Sequence, residues 1–81
     1  MTNLERYNKV FTDTFNIEVS ELNDDFNTDE IAEWDSVTQL ALVEALEDEF
    51  EIMFDTEDIL NFKSYTEGRS ILLKYQIDLE E

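Results

Sequence analysis

Residues 36–50, SVTQLALVEALEDEF, constrain this chain more than any other stretch. The segment has no Gly and no Pro and is rich in strong helix formers, so a helix is expected. Leu42, Leu46 and Phe50 recur at i, i+4 and i+8, with Val43 beside them. That spacing lays one apolar stripe along the helix. Val37, Ala41, Glu44 and Asp48 fall nearly opposite, at about 100° per residue. A helix with one apolar and one largely polar face must be covered on one side only.

The rest of the chain supplies the cover. Thr2 and Glu5 stand as a capping box. Leu4, Tyr7, Phe11 and Phe15 then share one face, predicting a first helix over 3–15. Residues 16–34 lack a clean period, yet carry Ile17, Val19, Leu22, Phe26, Ile31 and Trp34. A connection of that length with scattered apolar residues predicts an ordered loop across the core, with a turn of helix near 28–32. A short helix is expected over 56–61, capped by Asp55 or Thr56, with Ile59, Leu60 and Phe62 as its apolar contacts. A last helix is expected over 65–77. Ser64 and Glu67 open it, and Ile71, Leu72, Tyr75 and then Leu79 form its buried stripe. Asp78, Glu80 and Glu81 are expected to fray. The fold class is therefore all-α: a small four-helix bundle of three longer helices and one short one, with a long ordered loop between the first two. At 81 residues the chain makes a single domain, 1–81.

Charge narrows the partners. The chain has 22 acidic and five basic residues, a formal net charge of −17. Nucleic-acid binding needs a basic surface, and anionic membranes would repel this one. A protein partner with a basic surface is the expected charged contact. There is no Cys and no His, which removes thiolate nucleophiles, the usual zinc ligand sets and the commonest general base. No enzyme activity is expected. With no apolar run of transmembrane length and no leader-like opening, a cytoplasmic monomer is the default.

Asp35-Ser36-Val37 stands where loop becomes the strongest helix. Ser36 reads first as a cap, since Ser36 and Gln39 match the S-x-x-Q form of a capping box. Asp35 can take that role instead, leaving the hydroxyl free at a helix end whose amides and dipole favour a phosphate. Residues 34–50, WDSVTQLALVEALEDEF, resemble the helix that bears the prosthetic group in acyl and peptidyl carrier proteins. Asp35-Ser36-Val37, Leu42-Val43, Ala45-Leu46 and Glu47-Asp48-Glu49-Phe50 supply the family's pieces in register, and the helix layout around them matches over nearly the whole chain. The resemblance implies that Ser36 is the covalent attachment point of phosphopantetheine, delivered from coenzyme A by a phosphopantetheinyl transferase. Asp35 and Val37 complete the attachment motif. Acyl or aminoacyl groups would ride as thioesters on the arm, and loading and transferring enzymes with basic docking surfaces would be the partners.

The free face of residues 36–50 suits such docking. Val37, Leu40 and Ala41 begin it apolar, and Glu44, Glu47 and Asp48 continue it acidic. Val37 stands where Leu is commoner, Glu33-Trp34 lacks a frequent Gly, and Thr38, Gln39 and Ala41 replace acids usual in carriers of fatty acid synthesis. These differences point to a specialised biosynthetic pathway. Two other readings compete: an acidic helical adaptor that carries nothing, and a calcium-binding protein. Asp25, Asn27 and Asp29 have the alternation of a calcium loop, but Glu30 stands where Gly is needed and Ser36 where Glu is needed.

Overall fold

The computed structural model describes residues 1–79. It is all-helical: α1 (Asn3–Phe15), α2 (Ser36–Phe50), α3 (Thr56–Asn61) and α4 (Tyr65–Lys74), with a 3₁₀ turn at Val19–Glu21. The described residues form no strand, only an isolated antiparallel bridge between Asn27 and Ser64.

Local chemistry sets the helix starts. At α1 the Thr2 hydroxyl accepts from the Glu5 N–H at 3.1 Å, and the Glu5 carboxylate accepts from the Thr2 N–H at 3.0 Å, completing the box. At α4 the Ser64 hydroxyl accepts from the Glu67 N–H at 2.9 Å, without the reciprocal bond. Asp55 occupies the cap position of α3, but its side chain makes no capping bond.

Three helices end alike, and none uses Gly. Asn16, Glu51 and Gln76 adopt left-handed conformations with φ of 55°, 55° and 65°. Each is followed by an isoleucine whose N–H returns to a carbonyl of the last turn: Ile17 to Thr12, Ile52 to Glu47, Ile77 to Leu72. This is the geometry that satisfies terminal carbonyls and folds the next apolar residue back onto the helix. It corrects the expected end of α4. The helix stops at Lys74, and Ile77 and Leu79 reach the core from beyond the reversal. The Asp78 carbonyl accepts from the Asn3 side chain at 3.1 Å. Glu80 and Glu81 lie outside the described residues.

Phe11 is the hub of the core. It is fully buried, and six aromatic rings surround it at centroid distances of 5.0 to 6.2 Å. Tyr7 and Phe15 come from its own helix, and Phe26 and Trp34 from the connection. Phe62 follows α3, and Tyr65 opens α4. Three of the six contacts are edge-on, one is tilted and two are stacked, at centroid separations in the range aromatic pairs favour. The connection between α1 and α2 buries Phe26 and Trp34, while Val19 is exposed. It is tied to the start of α4: the Thr28 N–H donates to the Lys63 carbonyl and the Tyr65 N–H to the Phe26 carbonyl, both at 2.9 Å. Gly68 lets α4 lie close to α1 and to the residue after α3, since a methyl group there would overlap the Tyr7 hydroxyl and the Phe62 ring. The Tyr7 hydroxyl donates to the Tyr65 carbonyl at 2.6 Å, so burial is satisfied.

Helix α3 is attached differently. Its buried residue is Asp58, not Leu60, which is 66% exposed. At 100° per residue, a side chain two positions on points nearly the other way. Asp58 pairs with the Lys74 ammonium at 2.6 Å and accepts from the Tyr75 hydroxyl at 2.6 Å. That hydroxyl also accepts from the Asp55 N–H at 2.9 Å. Hydrogen bonding from Lys74, then from Tyr75, holds the Asp58 carboxyl below the ordinary aspartate range.

Candidate functional site

Ser36 is the first residue of α2, and Asp35 is its cap. The Asp35 carboxylate accepts from the Thr38 N–H at 2.9 Å, and its carbonyl accepts from the Gln39 N–H at 2.8 Å. The Thr38 N–H bond, above all, lowers the Asp35 pKa. With the cap filled, the Ser36 hydroxyl is exposed and makes no hydrogen bond among the described residues.

Gln39 does not close a box with Ser36. Its carbonyl accepts from the Trp34 indole N–H at 2.6 Å, and its amide donates to the Ile59 and Phe62 carbonyls at 3.0 and 3.1 Å. One side chain thus joins the residue before the cap, the first turn of α2 and the end of α3. All three bonds replace ones that water would otherwise have to supply. The result is a cleft of about 290 Å³ with Ser36 on its wall, Trp34, Ile59, Leu60 and Phe62 as its apolar lining, and Lys63 beside them. Wider hollows of 650 Å³ beside Leu73 and 760 Å³ beside Val19 do not include Ser36.

The free face of α2 divides in two. Val37 is 76% exposed, and Leu40, Ala41, Glu44 and Asp48 are exposed with it. Glu47 is not a free acid. It is half-buried, and its carboxylate accepts from the Phe54 N–H at 2.9 Å, fastening the chain that leaves α2. Glu49 is likewise engaged, pairing with Arg6 at 2.7 Å, while the Arg6 guanidinium lies 4.7 Å from the Phe50 ring centre and also donates to the Glu49 carbonyl.

Three features of the site were not visible in the residue pattern: the bridging role of Gln39, the outward turn of Leu60, and Lys63 at the cleft. Gln39 matched a common capping motif, which hid its tertiary role. Leu60 fits the helical spacing of Ile59 and Phe62 only if Asp58 faces solvent, and it does not. Among the described residues no group of three or more acidic side chains is placed to hold a metal ion. No described helix is long and apolar enough to cross a membrane. Compared with models of protein families, with curated proteins and with solved structures, the chain gives no match.

Proposed function

We propose that this protein is a carrier domain of the acyl and peptidyl carrier type, bearing phosphopantetheine on Ser36. The observation that supports the reading is a division of labour at the start of α2. Asp35 caps the helix, so the adjacent serine hydroxyl is left exposed and, among the described residues, without a hydrogen bond. The site fits the group. A phosphodiester on Ser36 would lie at the amino end of a helix of 15 residues, where amides and dipole favour negative charge. The Asp35 carboxylate is already occupied by the Thr38 N–H.

In the attachment step the Ser36 oxygen forms a bond to the phosphorus next to the pantetheine of coenzyme A. The anhydride bond to the other phosphorus breaks, and the adenosine bisphosphate leaves. The hydroxyl proton goes to a base of the transferase. Asp35 suits that task poorly, because hydrogen bonding lowers its pKa and so its basicity. The arm, once attached, supplies the thiol that the chain lacks. Acyl or aminoacyl groups carried on it would be presented to loading and transferring enzymes. Val37, Leu40 and Ala41 offer those enzymes an apolar contact, and Glu44 and Asp48 an acidic one. A dedicated biosynthetic pathway in the cytoplasm fits the departures around Ser36 from carriers of fatty acid synthesis.

The test is incubation with coenzyme A and a broad-specificity phosphopantetheinyl transferase, read by intact mass. The protein should gain one phosphopantetheine, and Ser36→Ala should fold and gain none. An unmodified wild-type protein would leave an acidic helical adaptor as the better description.

A further inference from the structure

In a chain with 22 acids and five bases, a lysine without a carboxylate partner is unexpected. Arg6, Lys9 and Lys74 are each in an ion pair, at 2.7, 2.8 and 2.6 Å. Lys63 and Arg69 are in none among the described residues. Of these two, only Lys63 lines the cleft that contains Ser36. Arg69 lies instead beside the 650 Å³ hollow.

The backbone fixes Lys63 in that place from both directions. Its carbonyl accepts from the Thr28 N–H at 2.9 Å. The preceding carbonyl, of Phe62, accepts from the Gln39 amide at 3.1 Å, and the following residue, Ser64, bridges to Asn27. Phe62 itself is 1% exposed. Lys63 is therefore held to α2 through Gln39 and to the connection through Thr28, while its side chain is exposed and in no ion pair among the described residues. An ammonium on a flexible stem is suited to a phosphate as a point charge.

We propose that Lys63 is a positioning residue for the attached group: its ammonium pairs with the phosphodiester on Ser36 and directs the first atoms of the arm over the cleft. The inference rests on the carrier reading and adds to it a residue outside the attachment motif. The Lys63 cation would also offset local anionic charge in a molecule that is otherwise strongly negative. No catalytic part is assigned to it.

The experiment loads wild type, Lys63→Gln and Lys63→Arg with phosphopantetheine, follows loading by intact mass, and reads the phosphodiester by phosphorus NMR. The wild-type resonance should be displaced from that of Lys63→Gln, and Lys63→Arg should restore the wild-type position. Melting should be the same in all three, because the side chain has no ion-pair or hydrogen-bond partner among the described residues. A second reading needs no variant: the Lys63 side-chain nitrogen resonance of wild type should shift on loading. Loaded proteins with identical phosphorus resonances, or a Lys63 nitrogen unmoved by loading, would overturn the role of Lys63 and leave Ser36 standing. Absence of any mass gain in wild type would overturn both readings at once.

Discussion

Helices α1 and α3 are attached to the same molecule by different physics. Helix α1 lies directly against α2 and carries Phe11, whose ring meets aromatic neighbours from its own helix, the connection, the end of α3 and α4. Helix α3 has six residues, too few to be stable alone. It is fastened at one end by Gln39 and by Phe62, which leaves the helix for the core, and along its own length by Asp58, Lys74 and Tyr75. The first attachment is non-directional and strong. The second is largely directional, and each bond contributes only about 0.5–1.5 kcal/mol net. The weaker attachment borders Ser36. Short elements held mainly by a few hydrogen bonds are commonly those that can open without global unfolding, and α3 has that construction.

The largest effect separating the two should come from Phe11→Ala. Truncating a fully buried Phe costs about 3–5 kcal/mol, enough to abolish or nearly abolish a fold of this size. Chemical denaturation followed by circular dichroism measures it. A loss below about 1 kcal/mol would mean that the aromatic hub does not carry the core.

Gln39→Ala should cost less and act more locally. It leaves two carbonyls and the Trp34 indole N–H to find other partners, at about 1–3 kcal/mol. Amide exchange over 59–62 should accelerate more than exchange in α1, and Trp34 fluorescence should change. Uniform acceleration throughout the chain would erase the distinction between the two attachments.

Within α2, Glu44→Lys and Glu47→Lys should have different consequences. From the sequence alone the two acids are equivalent members of the free face. In the structure Glu44 is exposed and Glu47 holds the Phe54 N–H. Glu47→Lys should destabilise the fold by about 1 kcal/mol. Glu44→Lys should stay within about 0.5 kcal/mol in stability and slow association with a basic partner. Equal melting temperatures for both variants would contradict the fastening role of Glu47.

The smallest effect is a pH slope. Asp58, Asp35 and Glu5 all have pKa values lowered in the fold, by Lys74, by the Thr38 N–H and by the Thr2 N–H respectively. A lowered folded value means that the stabilisation is present above the unfolded pKa and is lost as pH falls through the folded one. Stability should therefore decline below the ordinary aspartate range, and Asp58→Asn should flatten part of that decline. The Lys74 side of the pair is raised, mainly by its bond to Asp58, so it is lost only above the ordinary lysine range. An unchanged acid slope in Asp58→Asn would show that this carboxylate is not what fastens α3 at low pH.

The contrast between α1 and α3 also explains what the sequence made legible. Helices α1 and α2 were readable to their ends because period and starting caps coincide: Thr2 with Glu5, and Asp35 before an unbroken stripe. Helix α3 could be located but not oriented. Its inward residue is a charged one, and only the presence of Lys74 and Tyr75 opposite makes that burial tolerable. The end of α4 was misplaced because helix-stop signals favour Gly, and Gln76 takes the left-handed position instead. The local cue was the isoleucine that follows each reversal, at Ile17, Ile52 and Ile77. At the site, the place of Ser36 was legible because capping is a local matter. The cleft was not, because it is made by one glutamine reaching over 20 residues along the chain to Ile59.

The proposed attachment of phosphopantetheine to the Ser36 hydroxyl, freed by Asp35, can be read at the level of the single residue. Fragmentation mass spectrometry of the transferase-treated wild-type protein addresses it most directly, because it reports the residue and not only the gain in mass. Phosphopantetheine is expected on Ser36 and on no other residue. Modification at Ser20, Ser64, Ser70 or any threonine, or a wild-type chain that remains unmodified, would contradict it.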